Sequence, residues 1–185
     1  MKFLLVLLSI ISIQLSTPAK SFSWRELDLR TDFLIVRHAL APGMGDPADF
    51  KLSDCQTQRN LNVVGRKQAK SIGDFIKKNY TGAVEVYSSE WCRCLETAKI
   101  LGLGSVEKLS ELNSFFQNMS EEQRVTNNFK KWLSESNKNN LKIFITHQVN
   151  ITALLGVFPQ SGEVIAARMK NGETKVLERF KIGMN

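Results

Sequence analysis

The chain has 185 residues, 43% of them hydrophobic and 23% charged, ordinary values for a folded domain that exclude a disordered or fibrous chain. The formal charge is +7 without a dense Lys/Arg arm, so anionic partners such as phosphate esters are favoured and nucleic acid is not expected. The two histidines, His38 and His147, stand 109 residues apart and no ligand pair has zinc-like spacing, so neither a metal site nor a cofactor is expected.

Met1-Lys2, an interrupted apolar run from Phe3 to Leu15, and Thr17-Pro18-Ala19 form the charged, apolar and small-residue pattern of a secretory signal. The run is short for a bilayer span, which needs about 20 residues. Cleavage after Ala19 is expected, with an uncleaved anchor as the alternative. It would leave one domain, residues 20–185, in the periplasm or medium, with no membrane span. In such an oxidising compartment Cys55, Cys92 and Cys94 can form one disulfide. Cys92 and Cys94 are too close to bridge easily, so Cys55 with either is expected, and three buried thiols are the alternative.

Residues 20–32 are a polar, mixed lead-in. Phe33–Val36 is a short apolar run with two β-branched residues, the mark of a strand buried on both faces, and it ends in Arg37-His38. Breakers from Ala41 to Pro47 open a loop of about 20 residues that continues to Gln58-Arg59-Asn60; a loop so long suggests a functional lid or wall. A helix over 62–79 follows, with Val64, Ala69, Ile72, Phe75 and Ile76 inward. Val84–Tyr87 is a second strand, ending in Ser88-Ser89. A helix over 91–101 starts beside Arg93. Residues 106–109 form a short strand, and 120–136 an amphipathic helix with Val125, Phe129, Trp132 and Leu133 inward. Lys142–Thr146 is a third strong strand, ending in His147. A short helix over 151–157 precedes a hairpin of 164–169 and 176–180 around Asn171-Gly172. The alternation implies an α/β fold, a mostly parallel sheet with helices on both faces. No internal repeat is evident.

Three strands thus end in Arg37-His38, in Ser88-Ser89 before Arg93, and in Thr146-His147. In a parallel sheet these ends share one edge, where ligands bind. A histidine after one strand is more often a structural hydrogen-bonder; joint placement at three equivalent ends is hard to obtain by accident.

Four motifs carry a resemblance. They are Val36-Arg37-His38-Ala39; Leu61-Asn62-Val63-Val64-Gly65-Arg66-Lys67-Gln68-Ala69; Ser89-Glu90-Trp91-Cys92-Arg93-Cys94-Leu95-Glu96-Thr97-Ala98; and Ile145-Thr146-His147. In this order they resemble the histidine phosphatase superfamily, the phosphoglycerate-mutase-like fold, with Ala39 in place of a glycine and Asn62 in place of a threonine. The resemblance implies that His38 is the nucleophile, forming a phosphohistidine. It implies that Arg37 and Arg93 clamp the phosphoryl oxygens, and that His147 donates to one of them. No metal is required, because the arginines neutralise the transferring group.

Many members carry an acidic residue after the third motif, as general acid. Glu111 is near that position, but the register of Leu112-Asn113 puts the place on Ser114. Another branch has an acid directly after the second histidine, where this chain has Gln148. Asp46 and Asp54 in the loop are further candidates, Asp46 level with Glu111, and Arg59 is a further candidate phosphate ligand. A leaving group that needs little protonation is the alternative. The expected function is an exported phosphohydrolase acting on a phosphorylated small molecule, a lipid-linked phosphate, or a phosphoprotein, including phosphohistidine. The alternatives are a phosphate-binding module without turnover and an envelope scaffold using Phe115-Phe116.

Overall fold

A computed structural model of the protein describes residues 22–183. The expected signal segment, residues 1–19, lies outside the described residues. The chain runs β1 (Asp32–Arg37), α1 (Val63–Asn79), β2 (Val84–Ser88), α2 (Cys92–Leu101), β3 (Val106–Lys108), α3 (Glu122–Glu135), β4 (Leu141–Thr146), α4 (Gln148–Leu155), β5 (Val164–Lys170) and β6 (Glu173–Phe180). They form a six-stranded sheet of order β3-β2-β4-β1-β5-β6. The first four strands of that order are parallel; β5 pairs antiparallel with β1, and β6 antiparallel with β5.

The period of two along each strand builds two cores. Leu34 and Val36 of β1, with Ile143 and Ile145 of β4, face one side, against Ile72 and Ile76 of α1 and Ala98 and Leu101 of α2. Phe33, Ile35 and Phe144 face the other, against Phe129 and Leu133 of α3 and Ile151 and Leu154 of α4. Burial on both faces explains why β1 and β4 are unbroken apolar runs. Phe144 holds the second core together, with ring contacts to Phe129 at 5.0 Å, Tyr87 at 5.6 Å and Phe33 at 5.7 Å. The closing hairpin turns at Asn171 and Gly172, both at positive φ, as a two-residue turn requires.

Several details differ from the sequence reading. Val64 is exposed; the inward edge of α1 runs through Gly65, Ala69, Ile72, Gly73 and Ile76. The two glycines on that edge were invisible to a search for apolar side chains. Helix α4 begins at Gln148, immediately after His147, and not at Ile151. The lead-in is anchored: Trp24 stacks on Phe180 at 5.3 Å and meets Phe75 edge-on at 5.7 Å. Phe115 and Phe116 part ways, Phe115 buried and Phe116 exposed. The loop after β1 contains a 3-10 turn, Cys55–Thr57, and is bonded at many points.

Gly65 explains the glycine of the second motif. A Cβ there would lie 2.0 Å from the carbonyl oxygen of Leu40. The same helix holds that segment with Gln68, whose Oε1 accepts from the Leu40 N–H at 2.9 Å and whose Nε2 donates to the Ser161 carbonyl at 2.8 Å. Asn62 caps α1, accepting from the Gly65 N–H at 2.8 Å. Thus α1 lies tight on the chain just after His38. Gly65→Ala is expected to destabilise the protein by about 1–3 kcal/mol or more, because the clash is with backbone. Exposed Lys67→Ala should change stability by less than about 0.5 kcal/mol. Urea denaturation of both variants checks this.

Candidate active site

The parallel strand ends deliver the side chains. The His38 N–H donates to the Thr146 carbonyl at 2.9 Å, and the Ser89 N–H to the Ile145 carbonyl at 2.9 Å, so the three ends are stitched together. They floor a cleft of about 410 Å³. Arg37, His38, Arg93 and His147 line it, joined by Asp46 and Arg59 from the loop.

Arg93 lies between the histidines. It is buried in the first turn of α2. Its Nε donates to His38 Nε2 at 3.3 Å, and its Nη2 to His147 Nδ1 at 3.3 Å. Its Nη1 donates to both oxygens of Asp46, at 2.8 and 3.0 Å. A guanidinium only donates, so the ring nitrogens facing it carry lone pairs. The outer partners agree. His38 Nδ1 lies 2.8 Å from the Ala39 carbonyl and must donate to it. His147 Nε2 lies 2.9 Å from Ser89 Oγ, which donates onward to Asn113 Oδ1 at 3.2 Å. Both tautomers are therefore assigned by the hydrogen-bond network. His38 thus presents an unprotonated Nε2, accepting from Arg93, at the floor of the cleft.

Ala39, where a glycine was expected, has no positive φ and is fully buried, so its methyl group is accommodated. Its N–H donates to Thr97 Oγ1 at 3.1 Å, and Thr97 Oγ1 donates to the Arg93 carbonyl at 2.7 Å. One threonine thus fixes α2 against the residue following His38.

The acid candidates separate. Glu111 accepts from Ser110 Oγ and lines an adjoining cleft, away from His38. Thr146 Oγ1 holds the Leu112 carbonyl at 2.6 Å, and the Asn113 side chain faces Ser89. That register brings Ser114, not Glu111, into the cleft. Asp54 caps the 3-10 turn and does not line the cleft. Asp46 does, as the one carboxyl among the described lining residues. Both its oxygens accept from Arg93; Oδ1 also accepts from the Arg59 N–H at 3.0 Å and Oδ2 from Trp91 Nε1 at 3.1 Å.

Arg59 spends Nε on the Gly45 carbonyl and Nη1 on the Ala41 carbonyl. Arg37 Nη1 donates to the Pro159 carbonyl at 2.9 Å. Its Nε is buried with no partner among the described residues, an orphan donor of the kind that functional sites retain. Ser89 was placed at this edge by the sequence but given no role; Asn113 and Thr97 are contributors that sequence reasoning had not singled out. The threonine position of the third motif was the available signal for Thr97.

Cys55 pairs with Cys92, with Cα atoms 5.6 Å apart, and ties the loop to the start of α2. Gln58 doubles the tie: its Oε1 accepts from the Cys92 N–H at 3.0 Å, and its Nε2 donates to the Lys51 and Leu52 carbonyls. Cys94 is free and buried. Burial pushes its thiol up to about 12, so it stays protonated and inert.

The family model of the histidine phosphatase superfamily, branch 1, matches residues 33–115. Over these residues, from β1 to the stretch after β3, the chain is similar to the histidine phosphatase superfamily. Solved structures of the same fold include the open reading frame Rv3214 of Mycobacterium tuberculosis, at a TM-score of 0.60 and 13% identity over 80% of this chain and 95% of that one. They include phosphoserine phosphatase from Entamoeba histolytica in complex with 3-phosphoglyceric acid, at 0.57 and 15%, over 81% and 96%. The protein histidine phosphatase SixA complexed with tungstate follows at 0.51 and 16%, over 81% and 96%. No curated protein sequence gives a significant match. These likenesses are of fold, and together with the family-model match they support a phosphatase-type enzyme.

The electrostatics of this site are those of an anion receptor. Burial first, and Arg93 second, hold both histidines well below the ordinary value of 6.5. Burial and Arg93 likewise lower Arg37 and Arg59. In the unfolded chain each ring takes a proton near pH 6.5, while in the folded protein it stays neutral. The unfolded state therefore binds more protons below that pH, and stability falls as pH falls. The loss should approach about 1.4 kcal/mol per pH unit per ring. Urea titrations from pH 7 to 5 are expected to give a shallower decline for His147→Gln than for the parent protein. Equal slopes would contradict a neutral His147.

Proposed function

We propose that the protein is an exported phosphohydrolase that works through a phosphohistidine on His38, acting on a phosphate monoester or on phosphohistidine. The observation that carries this reading is the His38 tautomer. Nδ1 donates to the Ala39 carbonyl at 2.8 Å, and Nε2 faces the cleft beside Arg93. Such a nitrogen is a nucleophile at neutral pH, because the ring is held unprotonated.

In this reading the phosphoryl group enters over His38, and Arg37 and Arg93 turn their donors to its oxygens. The orphan Nε of Arg37 would gain a partner. The Nε2 lone pair forms an N–P bond as the P–O bond breaks, with its electron pair left on the departing oxygen. Negative charge beside His147 favours transfer to its Nδ1 of the proton that a monoanionic phosphoryl group carries in, and that N–H then donates back to a non-bridging phosphoryl oxygen. Water attacks the phosphoenzyme, the N–P pair returns to His38, and phosphate leaves. The guanidinium groups supply the positive charge, so the reading calls on no metal. His38→Ala is expected to abolish hydrolysis of a generic phosphate ester while circular dichroism keeps its folded form. Arg93→Ala should lower kcat/KM by about 10²–10³. Persistent turnover by His38→Ala would favour a phosphate-binding or scaffold protein.

Export is supported by the N-terminal pattern and by the Cys55–Cys92 disulfide, a bond of oxidising compartments. N-terminal sequencing of protein recovered from its native cells is expected to begin at Lys20 or within a few residues. Intact protein beginning at Met1 in the cytoplasm would contradict export.

A further inference from the structure

Two features of the cleft remain unexplained by a phosphate clamp. The first is its mouth. Six large apolar side chains are exposed among the described residues. Three of them, Met44 (88% exposed), Phe158 (69%) and Phe116 (46%), line this one cleft. Trp91 adds an aromatic wall. Exposed apolar surface gathered around a polar floor marks a binding site for an apolar group. Flat rings and a thioether are surfaces that hold an aromatic ring.

The second feature is the lone carboxyl. Asp46 accepts from Arg93, Arg59 and Trp91, so it is built to hold Arg93 rather than to deliver a proton. An ester hydrolysed here must have a leaving oxygen that departs without a strong acid. A phenolate satisfies this, since its conjugate acid titrates near about 10 for a tyrosine ring. An alkoxide does not, because its parent alcohol is about as weak an acid as water, far weaker than a phenol.

We infer that the substrate class is an aryl phosphate: a phosphomonoester of a phenol, with its ring between Phe116, Phe158 and Trp91. This deepens the phosphohydrolase reading and rests on it. The balance is complete. The P–O(aryl) bond breaks as His38 Nε2 bonds to phosphorus, the phenolate takes its proton from bulk water, and a second water releases phosphate. Asp46 is a positioning residue for Arg93.

The test uses the mature protein and matched ligands. Phenyl phosphate and cyclohexyl phosphate share apolar bulk but differ in leaving group; benzylphosphonate and methylphosphonate report binding without turnover. Expected are a kcat/KM at least 100-fold higher for phenyl than for cyclohexyl phosphate, and at least tenfold tighter binding of benzylphosphonate than of methylphosphonate. Phe116→Ser with Phe158→Ser should shrink the second ratio toward one. Asp46→Asn should lower both kcat/KM values by the same factor. Selective loss on cyclohexyl phosphate would make Asp46 a proton donor and overturn the inference. Comparable turnover of the two esters, or equal binding of the two phosphonates, would also overturn it. Hydrolysis of polar esters alone would do so too, yet leave the phosphohydrolase reading standing; failure on every ester would count against that reading, while the phosphonates still judged the mouth. A phosphotyrosine peptide in place of phenyl phosphate then distinguishes a protein-borne aryl group from a free one.

Discussion

A single guanidinium sets the geometry of this site. Arg93 donates to His38, to His147 and to Asp46 from a buried position. A buried cation is costly unless it is paired and hydrogen-bonded, and the surrounding structure serves that need. Asp46 supplies the countercharge from the long loop after β1. That loop is fastened to the same turn of α2 by the Cys55–Cys92 disulfide and by Gln58. Thr97 takes up the Arg93 carbonyl and binds Ala39 beside His38. Loop, helix and first strand are thus mutually positioned through Arg93. The charge that remains unpaid, from Arg37 and the orphan donor it carries, creates the demand for an anion.

The two cores explain why this arrangement is rigid. Strands β1 and β4 are buried on both faces, so their ends, and the residues that follow, cannot shift without disturbing packing on two sides. Gly65 and Gly73 bring α1 against backbone, at Leu40 and Leu101 respectively. Close approach there sets the depth of His38 in the cleft. A fold of this kind hosts many chemistries, and what distinguishes this chain lies around the rim: Met44, Phe116, Phe158, and a carboxyl already engaged.

Much of this was legible in the sequence, for a physical reason. Strands buried on both faces must be apolar runs, and polar residues that end them are conspicuous, so Arg37, His38, Ser89, Arg93 and His147 could be brought to one edge before any coordinates. The parallel sheet followed from alternation, and the hairpin from Asn171-Gly172. What stayed hidden depends on contacts distant in sequence. Pattern cannot tell whether Cys55 meets Cys92 or Cys94, because both lie at the start of α2. Glu111 looked as good an acid as Asp46, because nothing local reveals which of two clefts a side chain enters. Val64 was misassigned because helix periodicity counts apolar side chains, while the true contact edge contains two glycines. The start of α4 was read late because Gln148 and Asn150 carry no apolar signal; Asn150 is turned inward to donate to the Asn113 carbonyl at 2.8 Å.

The central claim is that His38 carries the phosphoryl group. Rapid alkaline quench of the enzyme turning over a ³²P-labelled ester, followed by peptide mapping, tests it most directly. The account predicts one labelled peptide containing His38, with a bond that survives base and is lost in acid, as a phosphoramidate is. Label on Ser88 or Ser89, or an acid-stable adduct, would contradict it.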